Sequence, residues 1–156
     1  MAEKKKVYVE TSVISNLTAR PSHDIFDLAR QMTTRLWWNA AVDSYSLYSS
    51  SLVEREAQRG DADAASRRMD ILKGLKSLPI PEEAESLAVK LLDAAAVPRT
   101  SYEDAVHIAT AAVCEMDYLV TWNCRHIANA VTMPRMYEAC QAAGYRCPVI
   151  CTPEQL

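Results

Sequence analysis

The run Ser101-Tyr-Glu-Asp-Ala-Val-His-Ile-Ala-Thr-Ala-Ala-Val-Cys114, then Glu115-Met-Asp117, then Tyr118-Leu-Val-Thr-Trp-Asn-Cys-Arg-His-Ile-Ala-Asn129 decides the fold. It reads as a capped helix, a tight turn, a short buried strand, and a polar strand end leading into another helix. Ser101 is a good N-cap, and Asp104 follows three residues on, close to a capping box. Val106, Ala109, Val113 and Met116 recur at helical spacing, and Ala105, Ile108 and Ala112 widen that face. Asp104 therefore falls in the first helical turn and Asn123 just past the strand. Ligands of open α/β sheets bind beyond the carboxyl ends of the strands, so these two residues are placed to share one crevice. The plainer reading of Asp104 alone is an acid that complements the helix dipole, worth about 0.3–1 kcal/mol.

Working outward, Lys6 to Glu10 reads as a first strand. Val7, Tyr8 and Val9 are β-formers in an unbroken apolar run, which predicts a central parallel strand buried on both faces. The strand ends in Glu10-Thr11-Ser12, followed by a short helix over Val13–Leu17. A carboxylate at a strand end beside small hydroxyls suits a cation. A capping Thr11 or Ser12 next to a solvated Glu10 is the other reading. Pro21 breaks the chain, and Ser22 can cap a helix that carries Ile25, Leu28, Ala29, Met32 and Leu36 as its stripe and runs to about Ala41. Trp37 and Trp38 cannot both face one core, so one of them is a candidate for a dimer or partner surface.

Tyr45 to Ser49 alternates as a second strand, and Ser50 or Ser51 caps a helix through Ala57. Glu56 stands four residues after Leu52 and three after Val53, so it shares their inward face, whereas Glu54 points toward solvent. Ala62 to Leu75 is amphipathic; Arg67, Arg68, Lys73 and Lys76 on its wet side read as a solubilising face or as a rim for phosphates. Leu78-Pro-Ile-Pro81 is an extended linker or edge strand, Glu82 to Ala96 a further helix, and Met133 or Pro134 starts a helix closed by Gly144. Pro148 to Cys151 is a last short strand. Strands separated by helices along 156 residues predict a single domain, 1–156, built as a parallel α/β sandwich.

Composition bounds the function. A hydrophobic content of 49% favours a globular fold, and only 3 glycines leave little room for flexible linkers or a phosphate-cradling loop. No apolar run approaches the ~20 residues of a membrane span. The basic N-terminus has no apolar run behind it, so it is not a signal peptide. The 5 cysteines lack a framework spacing and read as reduced thiols of a cytoplasmic protein. Cys147 and Cys151 flank a short strand, as packing thiols or, less simply, as a metal pair. A net charge of −3 argues against wrapping duplex DNA by bulk charge, and leaves open a nuclease with an acidic site and a local basic rim.

Four pieces, Val7-Tyr-Val-Glu-Thr-Ser-Val-Ile-Ser-Asn16, Glu56-x-x-x-Gly60, Asp104-Ala-Val-His-Ile-Ala109 and Leu119-Val-Thr-Trp-Asn123, resemble in order and spacing the PIN-domain family, in particular VapC-type toxins of bacterial toxin–antitoxin pairs. The resemblance covers nearly the whole chain. It implies a three-layer α/β/α sandwich with a central, mainly parallel sheet of four or five strands. It also implies a metal-dependent endoribonuclease that uses Mg²⁺ or Mn²⁺, is restrained by a cognate antitoxin, and forms a homodimer.

Carried over, Glu10, Glu56 and Asp104 take the places of three metal-binding acids. Asn123 takes the place of a fourth acid and orients a water or ligand. Thr11 or Ser12, and Thr121, match small polar positions that commonly support the site, and Ser12 and Thr121 are also candidates to contact the substrate. The chain departs from the family in having Glu10 for the usual Asp, one methylene longer, and uncharged Asn123.

The chemistry agrees with the pattern, because hard cations prefer oxygen ligands and a divalent ion relieves the repulsion among clustered carboxylates. His107 reads as a satisfied, semi-buried histidine near the core face. Arg125 and His126, at the expected helix start, read as phosphate contacts or as an exposed turn. Two other functions compete: a PIN-fold RNA- or protein-binding module without catalysis, which Asn123 and Glu10 favour, and a small hydrolase or phosphatase acting on nucleotides, which lacks a nucleophile elbow.

Overall fold

The computed structural model describes residues 2–156. Five strands form one sheet in the order β3-β2-β1-β4-β5, every neighbouring pair parallel. They are β1 (Lys6–Val9), β2 (Ser46–Ser50), β3 (Lys76–Leu78), β4 (Tyr118–Val120) and β5 (Val149–Cys151). Val7, Tyr8 and Val9 are wholly buried, as an apolar strand at the centre of a parallel sheet must be.

Among the described residues seven α-helices connect and cover the strands, and a short 3-10 turn at Pro153–Gln155 follows the last strand. The helices are α1 (Thr11–Thr18), α2 (Ile25–Ser44), α3 (Ser51–Ala57), α4 (Ala62–Leu72), α5 (Glu82–Asp93), α6 (Tyr102–Val113) and α7 (Met133–Ala142). Helix α1 packs with α2, α3 and α4, and α5 packs with α6 and α7, giving the two helical layers of an α/β/α sandwich. The alanine run of α6 buries Ala105, Ala109, Ala111 and Ala112, and this lets α5 lie close against it.

The chain leaves β1 for β2 on one side, while β4 lies on the other. This places a topological switch point between β1 and β4. Val9 is in register with Val120, so Glu10 and Thr121 emerge side by side there, and the Glu10 N–H donates to the Val120 carbonyl at 3.0 Å.

Several expectations need correction. Glu10 itself caps α1: its carboxylate accepts the Ser12 N–H at 3.0 Å, the role expected of Thr11 or Ser12. Asp24, not Ser22, caps α2 by accepting from the Phe26 and Asp27 N–H groups. Ser101 occupies the N-cap of α6 but makes no side-chain capping bond, because its hydroxyl faces His126 at 3.2 Å. The helix expected directly after β4 does not form; the next one is α7, at Met133. Residues 124–127 form turns in which Ile127 and Ala128 both donate to the Asn123 carbonyl. The third strand lies at Lys76–Leu78, ahead of the prolines that would have removed its ladder donors.

The stripe of α2 faces outward. Ile25, Met32 and Leu36 are 74%, 55% and 73% exposed, while Gln31, Thr34, Trp37 and Ala41 face inward. Trp37 is buried, and Trp38 packs edge-on against it with ring centroids 6.1 Å apart, so the exposed apolar surface lies elsewhere on the helix. Among the described residues no helix is long and apolar enough to cross a membrane.

Candidate metal centre

Glu10 is 6% exposed, and its carboxylate is held at both oxygens. One oxygen accepts the Ser12 and Thr121 hydroxyls, each at 2.5 Å, and the other accepts the Ser12 backbone N–H. Ser12 Oγ in turn accepts the Trp122 N–H at 2.8 Å, and Thr121 Oγ1 accepts the Asn123 N–H at 2.9 Å. The ends of β1 and β4 and the start of α1 are thereby tied to one carboxylate. The extra methylene of glutamate lets it cap its own helix and still reach the neighbouring strand.

Glu56 arrives from α3, whose start is fixed by Ser50 Oγ accepting the Val53 N–H. Its Oε1 accepts the Thr11 hydroxyl and lies 2.6 Å from His107 Nε2. Glu10, Glu56 and His107 bring ligand atoms within 4.8 Å of one another, and Glu56 rather than Glu54 is the acid of α3 in this group. His107 is fully buried, and its other ring nitrogen lies 2.7 Å from the Tyr8 hydroxyl, which lies 2.8 Å from Ser50 Oγ.

Burial works against charge on both partners of the His107–Glu56 pair, and their mutual attraction outweighs it. The Glu56 carboxyl is held below its usual range by the hydrogen bond and charge of His107, with Thr11 helping. The His107 ring is raised by its bond to Glu56 and by the charges of Glu10, Glu56 and Asp104. All three acids therefore act on one buried imidazole. Burial likewise pushes the Tyr8 hydroxyl far above its ordinary value, so it remains protonated.

Asp104 is not one of the three residues whose ligand atoms cluster, although its charge acts on His107. Its Oδ1 accepts from Asn123 Nδ2 at 3.2 Å, and its Oδ2 lies 3.0 Å from His126 Nδ1. Asn123 Oδ1 accepts the His126 N–H, so Asn123 links the loop after β4 to the first turn of α6. Arg125 is exposed in that loop and forms no ion pair among the described residues. Arg59 and Glu103 make a two-pronged bridge at 2.8 and 3.0 Å that joins the segment after α3 to the start of α6. Arg67 and Arg68 are not simply solvated. Arg67 donates to the Thr18 carbonyl, and Arg68 donates to the carbonyls of Ala57 and Arg59.

His107 is the group that the sequence placed incompletely: it is satisfied, as expected, yet it is wholly buried and bonded to a candidate ligand. Its position three residues after Asp104, on the same side of one helix, is the signal that pointed there. The support from Tyr8 and Ser50 had no local signal, since it depends on the pairing of β1 with β2.

No protein-family model matches the chain, and neither does any curated protein. It is similar in structure to a chain of VapBC2 from Rickettsia felis, solved bound to a DNA fragment from their promoter. The TM-score is 0.62 at 12% identity, covering 94% of this chain and 98% of that one. It is also similar to Mycobacterium tuberculosis VapC20, a sarcin–ricin loop cleaving toxin, with a TM-score of 0.55 at 18% identity over 72% of this chain and 86% of that one. At these identities the likeness is one of architecture: the chain has a PIN-like three-layer α/β/α sandwich, with its acidic cluster at the switch point of the sheet.

Proposed function

We propose that the chain, acting as one domain over 1–156, is a metal-dependent endoribonuclease that hydrolyses RNA phosphodiester bonds as the toxin of a type II toxin–antitoxin pair in the cytoplasm. One observation carries this reading. Two carboxylates from separate elements, Glu10 and Glu56, stand within 4.8 Å of each other and of an imidazole, in a fold similar to that of a toxin that cleaves the sarcin–ricin loop. The donor set fits a divalent ion, since a buried carboxylate and a half-buried one so close together repel each other without a cation.

Glu10, Glu56 and Asp104 would hold Mg²⁺ or Mn²⁺. When bound, the ion supplies an activated water, polarises the phosphate and stabilises the departing oxygen. Ser12 and Thr121 fix the Glu10 carboxylate, Thr11 fixes Glu56, and Asn123 orients Asp104. Arg125 and His126 stand at the rim, where a guanidinium and an imidazole can contact RNA phosphates. RNA cleavage by the native chain with Mn²⁺ tests the reading, and a rate no higher than that of Asp104→Ala sinks it.

The second reading is a binding module without catalysis. It is favoured by the uncharged Asn123 and by the contact of His107 with Glu56, which already engages one acid. RNA retention without metal-stimulated cleavage would establish it.

The partners proposed are an RNA substrate, a cognate antitoxin and a second copy of the chain. The outward residues Ile25, Ala29, Met32 and Leu36 follow a four-three-four spacing, the seam of a helix that packs lengthwise on another. In an antiparallel pair of α2 helices, Ile25 meets Leu36 of the second copy and Ala29 meets its Met32. The acidic end at Asp24 and Asp27 then lies near Arg35 of that copy. With Phe26, the seam offers roughly 500 Å² per protomer, if a large side chain exposes about 150–250 Å², so a dimer reaches the lower bound of specific interfaces. Leu36→Glu leaves the monomer's stability nearly unchanged and shifts sedimentation to the monomer. A native chain that is monomeric at roughly tens of micromolar refutes the dimer.

A further inference from the structure

The four acid-site positions carried over from the resemblance offer only oxygen ligands, yet the structure sets a nitrogen among the carboxylates. We propose that His107 is itself a ligand of the ion, so that the centre is a mixed carboxylate–imidazole site that takes a first-row transition ion such as Mn²⁺ in preference to Mg²⁺. This rests on the metal-dependent reading above and specifies its ion.

The geometry carries the proposal. A ring nitrogen of His107 and one oxygen each from Glu10 and Glu56 lie within 4.8 Å of one another, a span that one ion can bridge. Nε2 faces the Glu56 carboxylate, and Nδ1 faces the Tyr8 hydroxyl. Behind Tyr8 lies Ser50 Oγ, and in that contact either oxygen can donate. With its hydrogen on Nε2, the neutral ring donates to Glu56 while Nδ1 accepts from Tyr8. With its hydrogen on Nδ1, the ring donates to Tyr8, the Tyr8 hydrogen turns to Ser50, and the Nε2 lone pair faces both carboxylates. The hydroxyl pair satisfies Nδ1 in either tautomer. In the second tautomer Nε2 and the Glu56 oxygen are two acceptors 2.6 Å apart, an arrangement that a cation between them would satisfy. A ligating histidine characteristically has its remote nitrogen held in this way, which fixes the ring and its tautomer.

The choice of ion follows from the donors. Mg²⁺ demands near-ideal octahedral oxygen coordination and gives up water reluctantly. A buried imidazole between two glutamates supplies nitrogen, which first-row transition ions accept more readily. Mn²⁺ is the lowest of that series in affinity, so a preference for it over Mg²⁺ is a demanding test.

The test uses the full chain and needs no RNA. Mn²⁺ binding is followed by electron paramagnetic resonance and calorimetry with Mg²⁺ as competitor, and pulsed resonance reads nitrogen coupled to the bound Mn²⁺. The native chain should prefer Mn²⁺ and show a directly coordinated imidazole nitrogen. His107→Gln should abolish that nitrogen signal and reduce the Mn²⁺-over-Mg²⁺ preference by roughly tenfold or more. If that variant does not fold, the nitrogen signal of the native chain and Tyr8→Phe decide the matter. Tyr8→Phe keeps the ring volume and should weaken Mn²⁺ binding roughly tenfold with the nitrogen retained.

Bound Mn²⁺ without nitrogen coupling, or an unchanged ion preference in His107→Gln, overturns the proposal. Tighter binding of both ions by His107→Gln also overturns it, and shows the imidazole to be a competing cation. If Mn²⁺ binds without nitrogen yet supports RNA cleavage, the ligand assignment alone falls. If the native chain binds neither ion, this proposal and the metal-dependent reading fall together.

Discussion

Thr121→Val removes one hydroxyl and keeps the shape of the side chain. Thr121 is wholly buried, and its hydroxyl donates to the Glu10 carboxylate at 2.5 Å and accepts the Asn123 N–H at 2.9 Å. A hydrogen bond to a charged group contributes about 1.5–3 kcal/mol, and an orphaned buried N–H costs about 1–3 kcal/mol. Asn123 is only half-buried, so water recovers part of the second loss, and the expected destabilisation is about 2–4 kcal/mol. At about 2–4 °C per kcal/mol for a chain of this size, the melting point should fall by roughly 5–15 °C.

Thr110 provides the control, since it is equally buried on α6 and its hydroxyl has no partner among the described residues. Thr110→Val relieves an unsatisfied group and should stabilise by about 1 kcal/mol. Urea unfolding of the two variants beside the native chain, with unchanged slopes, measures both. If Thr110→Val destabilises as much as Thr121→Val, the hydrogen bonds given to Thr121 do not hold Glu10 in place.

Three further outcomes follow from the same physics. The Asp117 carboxyl is held below its ordinary range, chiefly by the Lys6 N–H at 2.9 Å, with Lys5 and Arg146 adding to it. A depressed native value stabilises the fold above the unfolded pKa of about 3.9, and that contribution is lost as pH falls through the native value. Asp117→Asn should therefore lower the urea midpoint at pH 7, and the gap should close as pH falls through the depressed native value; a gap that stays constant down to strong acid refutes this.

Asn123→Asp puts a second carboxylate beside Asp104, within the 3.2 Å contact now made by an amide. The metal-free protein should melt lower, and millimolar Mn²⁺ should raise its melting point by more than it raises that of the native chain. An equal rise in both would show that Asn123 does not face the ion.

Glu115 holds a φ of 57° in the turn between α6 and β4. Glu115→Gly removes a left-handed strain of about 1–2 kcal/mol, part of which is returned as unfolded-state entropy. A net gain of about 0.5–1 kcal/mol in urea unfolding is expected, and a loss would contradict it.

The sheet was legible because its strands announce themselves. Val7-Tyr8-Val9 is apolar throughout, and only a strand covered on both faces needs that. The convergence of Glu10 and Glu56 was legible from Glu56 sharing a face with Leu52 and Val53, both buried. Three features were hidden for separate reasons. Ser101 has the right chemistry for a cap, but His126, 25 residues away, engages its hydroxyl. The Asn123 segment looked like a helix start, yet its carbonyl and amide are used to fold turns around Asp104. The α2 stripe has helical spacing but faces outward, and periodicity alone does not say which side of a helix meets the core.

Because the Glu10 carboxylate both starts α1 and fastens it to β4, lesions there carry a double consequence. If the chain has the toxin activity proposed above, a screen for cells that survive its expression should recover substitutions at Glu10 as protein that is scarce through aggregation and degradation. Substitutions at Asp104, which is bound only to side chains, should be recovered as abundant, inert protein of full length.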